Sequence, residues 1–298
     1  MVAKSDSKNF QILVADDGSE HSRAAVNLLG DMNFSGKSKV HVLRVITPLQ
    51  AAEHIAFENS LEATRSALSK KGLDAQSELL LGYPAEKIIE YAESLCPDLI
   101  VLGAKGLRST LGILLGGVAQ QVVEYACCPV LIVRAPYQDL TRVLIVSDGS
   151  DSSLAAVRYF GILPKLNDVK IEIMHVLPPP PIPMSVIEPM FTDYSMIQPW
   201  EVTEEEAERR KKEEEEGEEL LKKINDMVKI FGYDSSTILK RGDAASEIID
   251  YVKTNNIKLI VTGSRGLGNF RSWLMGSVSR KLVHYSDCSV LVVKGDQE

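Results

Sequence analysis

The sequence predicts an α/β protein with two tandem doubly wound domains, each a five-stranded parallel sheet with helices on both faces. One observation is an internal repeat: residues 12–26, ILVADDGSEHSRAAV, are similar to residues 143–157, VLIVSDGSDSSLAAV. Another is that, within each copy, short apolar segments alternate with segments whose apolar residues have helical spacing. Strands and helices that alternate in this way form parallel sheets with right-handed crossovers.

The two copies differ in length. Asp17 and Asp148 are equivalent and lie 131 positions apart, whereas Gly103 and Gly263 are equivalent and lie 160 positions apart. The second copy must therefore contain additional residues after its second strand. This pattern predicts one domain over residues 1–137 and another over residues 138–298, with a proline-rich loop and a charged helix inserted at about 178–223.

The elements of the second copy follow one another in a regular order. Apolar segments rich in Val, Ile and Leu predict strands over 143–147, 170–176, 236–240, 258–263 and 289–294. Apolar residues at helical spacing predict helices over 153–163, 245–255 and 277–286. Ligands of such sheets bind outside the carboxyl ends of the strands, where the winding direction reverses, so we expect a site at that edge.

The inserted segment begins with prolines and ends with charges. The run PPPPIP at 178–183 excludes a helix or a central strand there and predicts a stiff extended loop. Thr203 and Glu206 have the spacing of a capping box, which predicts a helix start. Three pairs at i,i+4 spacing predict an exposed helix: Glu205 with Arg209, Glu208 with Lys212, and Glu219 with Lys223. The alternative is a partner-docking arm, to which the apolar residues of 190–200 would contribute.

Composition excludes several classes of function. The formal net charge of −8 and the pI of about 5.3 argue against a nucleic-acid partner, because binding to a duplex needs many Lys and Arg residues. No apolar run is long enough to span a bilayer and the N-terminus has no signal-peptide core, so we expect a cytoplasmic protein without a membrane partner. The four cysteines form no CxxC pair, which predicts reduced thiols and no metal site.

A glycine pattern follows the fourth strand of the second copy. Gly263 and Gly266 are followed, after nine residues, by Gly276, Ser277 and Val278. The sequence has neither a GxGxxG turn after its first strand, which argues against an ordinary dinucleotide site, nor the GxxxxGK[ST] of a P-loop. A glycine at the strand end would let a sugar or phosphate approach the backbone, and the following helix N-terminus would suit an anion. Ser277 is predicted to cap that helix and to offer its hydroxyl to a phosphate.

Asp148 lies at the end of the first strand of the second copy, across the predicted crevice from these glycines. Two interpretations are open for it: a ligand-binding carboxylate, or only a cap of the next helix.

The pattern G-x2-G-x9-G-[ST], the DGS sequence after the first strand and His175–Val176 at the end of the second together resemble the universal stress protein family, in its tandem form. The resemblance covers residues 10–137 and 140–295 and implies a site for ATP or AMP, with Mg²⁺ as the usual companion of ATP. It implies that Asp148 lies beside adenosine, that Val176 meets adenine through its backbone, and that Gly263 lies near the ribose. The phosphates would meet Gly266, Gly276, Ser277 and Val278. Arg265 either approaches the phosphates or is a solvated basic residue.

The first copy departs from the pattern at one position. It keeps Asp17, Val45, Gly103 and Gly106, but its last motif reads Gly116, Gly117 and Val118, so a glycine replaces the serine. The backbone donors remain and the hydroxyl is lost. We expect the first copy to bind nucleotide about ten- to hundredfold more weakly, since a hydrogen bond to a charged group contributes about 1.5–3 kcal/mol.

The last strand of each copy, within 128–135 and 288–295, is apolar throughout. An exposed edge of this kind promotes aggregation, so each is predicted to cover the other. In the resembled family such strands pair across a two-fold axis, which implies an internal pseudo-dimer and leaves a further homodimer open.

Three functions remain open at this point. The first is a nucleotide-binding regulatory protein of the stress response, with an unknown protein partner. The second is a slow ATP hydrolase, for which the sequence shows no evident general base or nucleophile. The third is a ligand-free interaction module.

Overall fold

The computed structural model describes residues 9–32, 34, 38–107, 114–180, 203–267 and 275–295. Residues 190–200, whose apolar side chains belong to the alternative interpretation of a docking arm, and residues 181–183 of the proline run lie outside the described residues. In the described part of the chain, no helix combines the length and the apolar character needed to cross a bilayer.

Each copy has the predicted alternation of strands and helices. The first copy contains β1 (Phe10–Ala15), α1 (Glu20–Asp31), β2 (Ser38–Ile46), α2 (His54–Lys70), β3 (Asp74–Leu81), α3 (Pro84–Leu95), β4 (Leu99–Gly103), α4 (Gly117–Tyr125) and β5 (Val130–Val133). A 3₁₀ helix, Pro48–Glu53, precedes α2. The second copy contains β6 (Arg142–Val146), α5 (Asp151–Ile162), β7 (Lys170–Leu177), α6 (Glu204–Ile230), β8 (Ser235–Arg241), α7 (Ala244–Asn255), β9 (Leu259–Gly263), α8 (Ser277–Tyr285) and β10 (Ser289–Val293).

The ten strands form one sheet in the order β3-β2-β1-β4-β5-β10-β9-β6-β7-β8. Neighbouring strands within each copy are parallel, which confirms two doubly wound five-stranded halves. β5 and β10 pair antiparallel, with Leu131 opposite Leu291, so the two apolar strands cover each other's edge as predicted. In each copy the winding reverses between the first and fourth strands, which opens a crevice at their carboxyl ends.

The strands are apolar on both faces because helices cover both. Leu13 and Val14 are consecutive in β1 and fully buried, yet they belong to different core clusters. One cluster lies under α1, α2, α5 and α6, and includes Phe160 of α5. The other lies under α3, α4, α7 and α8, and includes Leu282 of α8. This packing holds the carboxyl ends of the strands in fixed positions.

Helix α6 differs from the exposed helix predicted within 203–223. It continues to Ile230, and its C-terminal half buries Leu221, Ile224 and Val228 against the sheet. It joins β7 to β8 as the shorter α2 joins β2 to β3, so the first copy has a counterpart for part of it. The apolar residues at i,i+3 and i+4 spacing after 220 explain the difference, because they face the core.

The N-terminal half of α6 is charged and exposed, as predicted. Thr203 caps the helix, accepting a hydrogen bond from the N–H of Glu206 at 3.3 Å. The i,i+4 ion pairs found there differ from the predicted ones: they join Arg209 to Glu213, Lys211 to Glu215 and Lys212 to Glu216. These exposed pairs each contribute only a few tenths of a kcal/mol, about 0.3–0.5.

Candidate functional site

Each copy has a crevice at the carboxyl ends of its strands. The second crevice has a volume of about 560 Å³, within the range of about 300–1,000 Å³ that is usual for small-molecule sites. All eight residues predicted from the complete motif line it: Asp148, Val176, Gly263, Arg265, Gly266, Gly276, Ser277 and Val278. The first crevice, of about 410 Å³, is lined by all seven equivalents: Asp17, Val45, Gly103, Gly106, Gly116, Gly117 and Val118. The fold therefore brings each predicted set together.

Asp148 does not cap helix α5. Ser150 is the N-cap, and its hydroxyl accepts a hydrogen bond from the N–H of Ser153. Asp148 instead uses one carboxylate oxygen to accept from the N–H of Ser150, and its other oxygen faces the loop after β9. The interpretation of Asp148 as a helix cap is wrong, because the third residue of the DGS sequence already fills that position.

The glycines at the ends of β9 and β4 have a packing role. A Cβ on Gly263 would lie 2.6 Å from the carbonyl carbon of Ser152, and one on Gly103 would lie 2.7 Å from the Cβ of His21. Both contacts are with the first turn of the neighbouring helix, α5 or α1. The reason expected for Gly263, space for a sugar or phosphate, therefore needs correction: close approach of this helix to the strand already requires a glycine.

Gly266 and Gly106 lie beside the aspartates on the other side of each crevice, Asp148 and Asp17. A Cβ on Gly266 would collide with the Oδ2 of Asp148, and a Cβ on Gly106 would lie 2.7 Å from the Oδ2 of Asp17. These two glycines thus allow the aspartate of the first loop to reach the loop after the fourth strand.

The helix that faces the predicted phosphates begins one residue earlier than the expected cap at Ser277 implies. Gly276 is the N-cap of α8 and Ser277 is its first helical residue, without a side-chain cap; Gly116 and Gly117 have the same positions in α4. The prediction that Ser277 caps the helix is therefore wrong, and the two copies do not differ in their N-cap. The Ser277 hydroxyl is exposed at the crevice, whereas Gly117 leaves open space there.

The free backbone donors of α8 are those of its first turn. The N–H of Gly276 already donates to the carbonyl of Ser264 at 2.8 Å, so it is not available to a ligand. The next three N–H groups, of Ser277, Val278 and Ser279, have no intrahelical acceptor because of their position. Together with the positive end of the helix dipole they suit an anion.

The backbone of Val176 faces the second crevice. On the β6 side, the carbonyl of Met174 accepts from the N–H of Ser147, and β6 pairs no further along β7. On the β8 side, the carbonyl of Leu177 accepts from Gly242. Backbone groups alternate in direction along a strand, so the N–H and carbonyl of Val176 point past the end of β6. Val45 has the equivalent position in β2. The carbonyl of Leu43 accepts from the N–H of Asp16, and the carbonyl of Ile46 accepts from the N–H of Gly82.

The second crevice contains a second arginine that sequence reasoning missed. Arg265, predicted, and Arg280, not predicted, both line it. Arg280 lies outside the glycine motif, one turn into α8, and its guanidinium donates to the carbonyl of Met275 at 3.3 Å. Aligning the two copies could have drawn attention to it, since the equivalent residue of the first copy is the uncharged Gln120.

The first crevice differs from the second in a buried polar pair. Arg44 and Asp16 form an ion pair there, with side chains 3% and 2% exposed, and Thr64 also donates to Asp16 at 3.0 Å. The equivalent residues of the second copy are His175 and Ser147, where the ring Nδ1 of His175 contacts the Ser147 carbonyl at 2.8 Å. A buried ion pair in one crevice thus has the place of a contact between a histidine ring and a backbone carbonyl in the other.

Comparisons with known proteins agree with the repeat. A family model described as the universal stress protein family matches residues 9–134 and again residues 140–294. A universal stress protein of Methanocaldococcus jannaschii is 29% identical over 153 residues, 51% of this chain and 81% of that protein. The universal stress protein YxiE of Bacillus subtilis is 30% identical over 154 residues, 51% of this chain and 98% of that protein.

A solved structure shares the tandem fold. The crystal structure of a universal stress protein from Archaeoglobus fulgidus has a TM-score of 0.67, with 23% sequence identity, and covers 98% of this chain and 100% of that one. This likeness concerns the fold. The double match of the family model, in contrast, covers most of the sequence with one domain type used twice. The chain therefore belongs to the universal stress protein family, with two copies of the family domain in tandem.

Proposed function

We propose that the chain is a regulatory protein of the stress response that binds an adenine nucleotide, ATP or AMP, and that the second crevice is its principal site. The observation that carries the proposal is the convergence, in one crevice, of the first turn of α8 with Arg265 and Arg280. Free N–H groups at a helix N-terminus and two guanidinium groups are a combination suited to phosphates.

The other end of the same crevice suits a nucleobase. The N–H and carbonyl of Val176 offer a donor and an acceptor side by side, and Met174 and Ile248 supply apolar surface beside them. Adenine presents an acceptor and a donor on its Watson–Crick edge, which such a backbone pair complements. A mostly apolar cleft with a few fixed polar groups is typical of small-molecule sites.

A divalent ion would reach this site through the nucleotide. Among the described residues, no group of three or more His, Cys, Asp or Glu could hold a metal ion. Mg²⁺ is usually bound by one or two carboxylates together with substrate phosphates and waters. The described side chains of the crevice would therefore act on the phosphates, and Mg²⁺ would neutralise part of their charge when ATP is the ligand.

Matched substitutions in the two crevices test the proposal. A Cβ on Gly276 would lie 3.4 Å from the nearest atom and one on Gly116 would lie 3.5 Å, and both residues have a φ that any residue can adopt. Gly276→Val should therefore fold, place two methyl groups between the phosphate donors and the glycine loop, and abolish ATP binding in calorimetry. Gly116→Val should leave the tighter ATP site unchanged.

Several outcomes would decide against the proposal. Wild-type chain that binds neither ATP nor AMP would support the ligand-free interaction module. Retention of ATP affinity by Gly276→Val, with an unchanged far-UV circular dichroism spectrum, would contradict the assigned site. Phosphate release from ATP that Gly276→Val abolishes would establish the alternative of a slow hydrolase. GTP in place of ATP tests the base preference expected from the Val176 backbone.

A further inference from the structure

One arginine of the second crevice forms an ion pair with the other copy. The guanidinium of Arg280, which lines the crevice, donates to the Oε1 of Glu124 at 3.1 Å. Glu124 belongs to the first copy and lies in the last turn of α4, the helix whose N-terminus lines the first crevice. Through this contact, a residue of the second crevice is joined to the helix that lines the first.

The contact has no charged equivalent on the other side of the sheet's pseudo-two-fold axis. The residues equivalent to Arg280 and Glu124 are Gln120 and His284. Burial lowers the pKa of His284, and the charges of Arg134 and Arg280 lower it further, so this histidine is neutral at neutral pH. An ion pair between the copies is therefore present at the second crevice, whereas the equivalent residues at the first crevice carry no opposite charges.

We propose that Arg280 is a phosphate-binding residue of the second crevice, and that Glu124 of the first copy competes with the nucleotide phosphates for its guanidinium. This inference rests on the proposed function. The side chain of Arg280 is 45% exposed and that of Glu124 is 16% exposed, so the arginine can change partner without leaving a buried site. A partly exposed ion pair contributes little to stability, whereas a phosphate offers a guanidinium a bidentate, charge-assisted partner.

The competition has a consequence for the first copy. When phosphates engage Arg280, Glu124 loses its partner, although Lys294 still donates to the backbone carbonyl of Glu124 at 2.7 Å. Occupancy of the second crevice therefore weakens one of the contacts that join α8 to α4. By thermodynamic linkage, removing the Glu124 charge must in turn strengthen phosphate binding.

Two charge-neutralising variants and their combination test the competition. All are made in the Gly116→Val background, so that calorimetry reports the second crevice. Arg280→Gln should weaken ATP binding about ten- to hundredfold and leave adenosine binding unchanged, because adenosine has no phosphate. Glu124→Gln should strengthen ATP binding by up to about five-fold. Adding Glu124→Gln to Arg280→Gln should change ATP affinity by less than about two-fold, since the carboxylate acts through the arginine.

Lys281→Gln is the matched control for net charge. Lys281 follows Arg280 in α8 but pairs with Asp243 at 3.7 Å and is not among the residues that line the crevice. It should leave ATP and adenosine affinities within about two-fold of the parent. Thermal unfolding of each variant checks that the fold is retained.

The outcomes separate this inference from the function on which it rests. A parent chain that binds no adenine nucleotide would overturn the proposed function. Equal ATP affinity in the parent and in Arg280→Gln would overturn the role of Arg280 and leave the nucleotide site standing. The same gain from Glu124→Gln with and without Arg280 would overturn the competition.

Discussion

The carboxylate of Asp148 accepts a hydrogen bond from the backbone N–H of Leu267 at 3.0 Å, across 119 positions of sequence. In the first copy, Asp17 accepts from the N–H of Leu107 at the same distance of 3.0 Å. Each aspartate also accepts from the N–H two residues further on, in Ser150 or Ser19. The aspartate thus joins the loop after the first strand to the glycine loop, and it holds the two sides of each crevice together.

Asp148→Asn should loosen the second crevice. An amide has only one oxygen, so one of the two N–H donors would face an NH₂ group, at a cost of about 1–3 kcal/mol in the free energy of unfolding. We expect the same loss of stability from Asp17→Asn in urea unfolding, but weaker ATP binding only from Asp148→Asn. Equal ATP affinity in the two variants would contradict the assignment of the second crevice as the principal site.

Gly263→Ala should destabilise the fold by about 1–3 kcal/mol, the usual cost of overpacking. The added Cβ would lie 2.6 Å from the backbone of Ser152, and backbone atoms cannot move aside as a flexible side chain can. Gly117→Ala is the matched control, because its Cβ meets nothing within 4 Å. Urea unfolding should show no loss for the control, and a stable Gly263→Ala variant would refute the packing role of this glycine.

Gly117→Ser should make the first crevice bind nucleotide more tightly than it does in the unmodified chain. The substitution restores the hydroxyl that the first crevice lacks, at a position with open space and a helical backbone. A hydrogen bond from it to a phosphate should strengthen ATP binding at that crevice about ten- to hundredfold. Calorimetry should then report two sites per chain, the second of them still weaker because Gln120 has the position that Arg280 has in the second crevice. A stoichiometry that stays at one would mean that Arg44 and Asp16, or another feature of the first crevice, limits binding.

Stability should fall on acidification, in part through His21. The Nδ1 of His21 accepts a hydrogen bond from the N–H of Ala135 at 2.9 Å, which requires an unprotonated nitrogen, and burial lowers the pKa of this histidine. The unfolded chain therefore binds more protons than the folded chain below the ordinary histidine pKa of about 6.5, so the free energy of unfolding decreases there. Above that pKa the residue contributes no pH dependence.

Chemical unfolding from about pH 7.5 to pH 5 measures the effect of His21. His21→Gln should reduce the slope, because glutamine can accept from Ala135 at every pH. His54→Gln is the control, since the His54 side chain is 52% exposed. A slope that His21→Gln leaves unchanged would show that other groups carry the pH dependence.

Local sequence patterns were sufficient to predict the strands and the convergence of the site. Val176, Gly263 and Asp148 lie at or next to the carboxyl ends of three parallel strands, and parallel strands with right-handed crossovers bring these ends to one edge. The start of α8 was less predictable, because Gly276 and Ser277 are both good N-caps and only the backbone conformation of Gly276 decides between them. The burial of the C-terminal half of α6 depends on its fit to the sheet.

The sequence by itself determined the repeat, the alternation of strands and helices, the motif residues that line both crevices and the hydroxyl that distinguishes them. These properties follow from the order of residues along each copy, since periodicity and motif spacing are local. Only the tertiary structure decided why Gly263 must be a glycine, which N–H groups of α8 are free, and that Arg280 meets Glu124. Each of these depends on atoms that are distant in sequence and become neighbours only when the helices pack on the sheet and β5 pairs with β10.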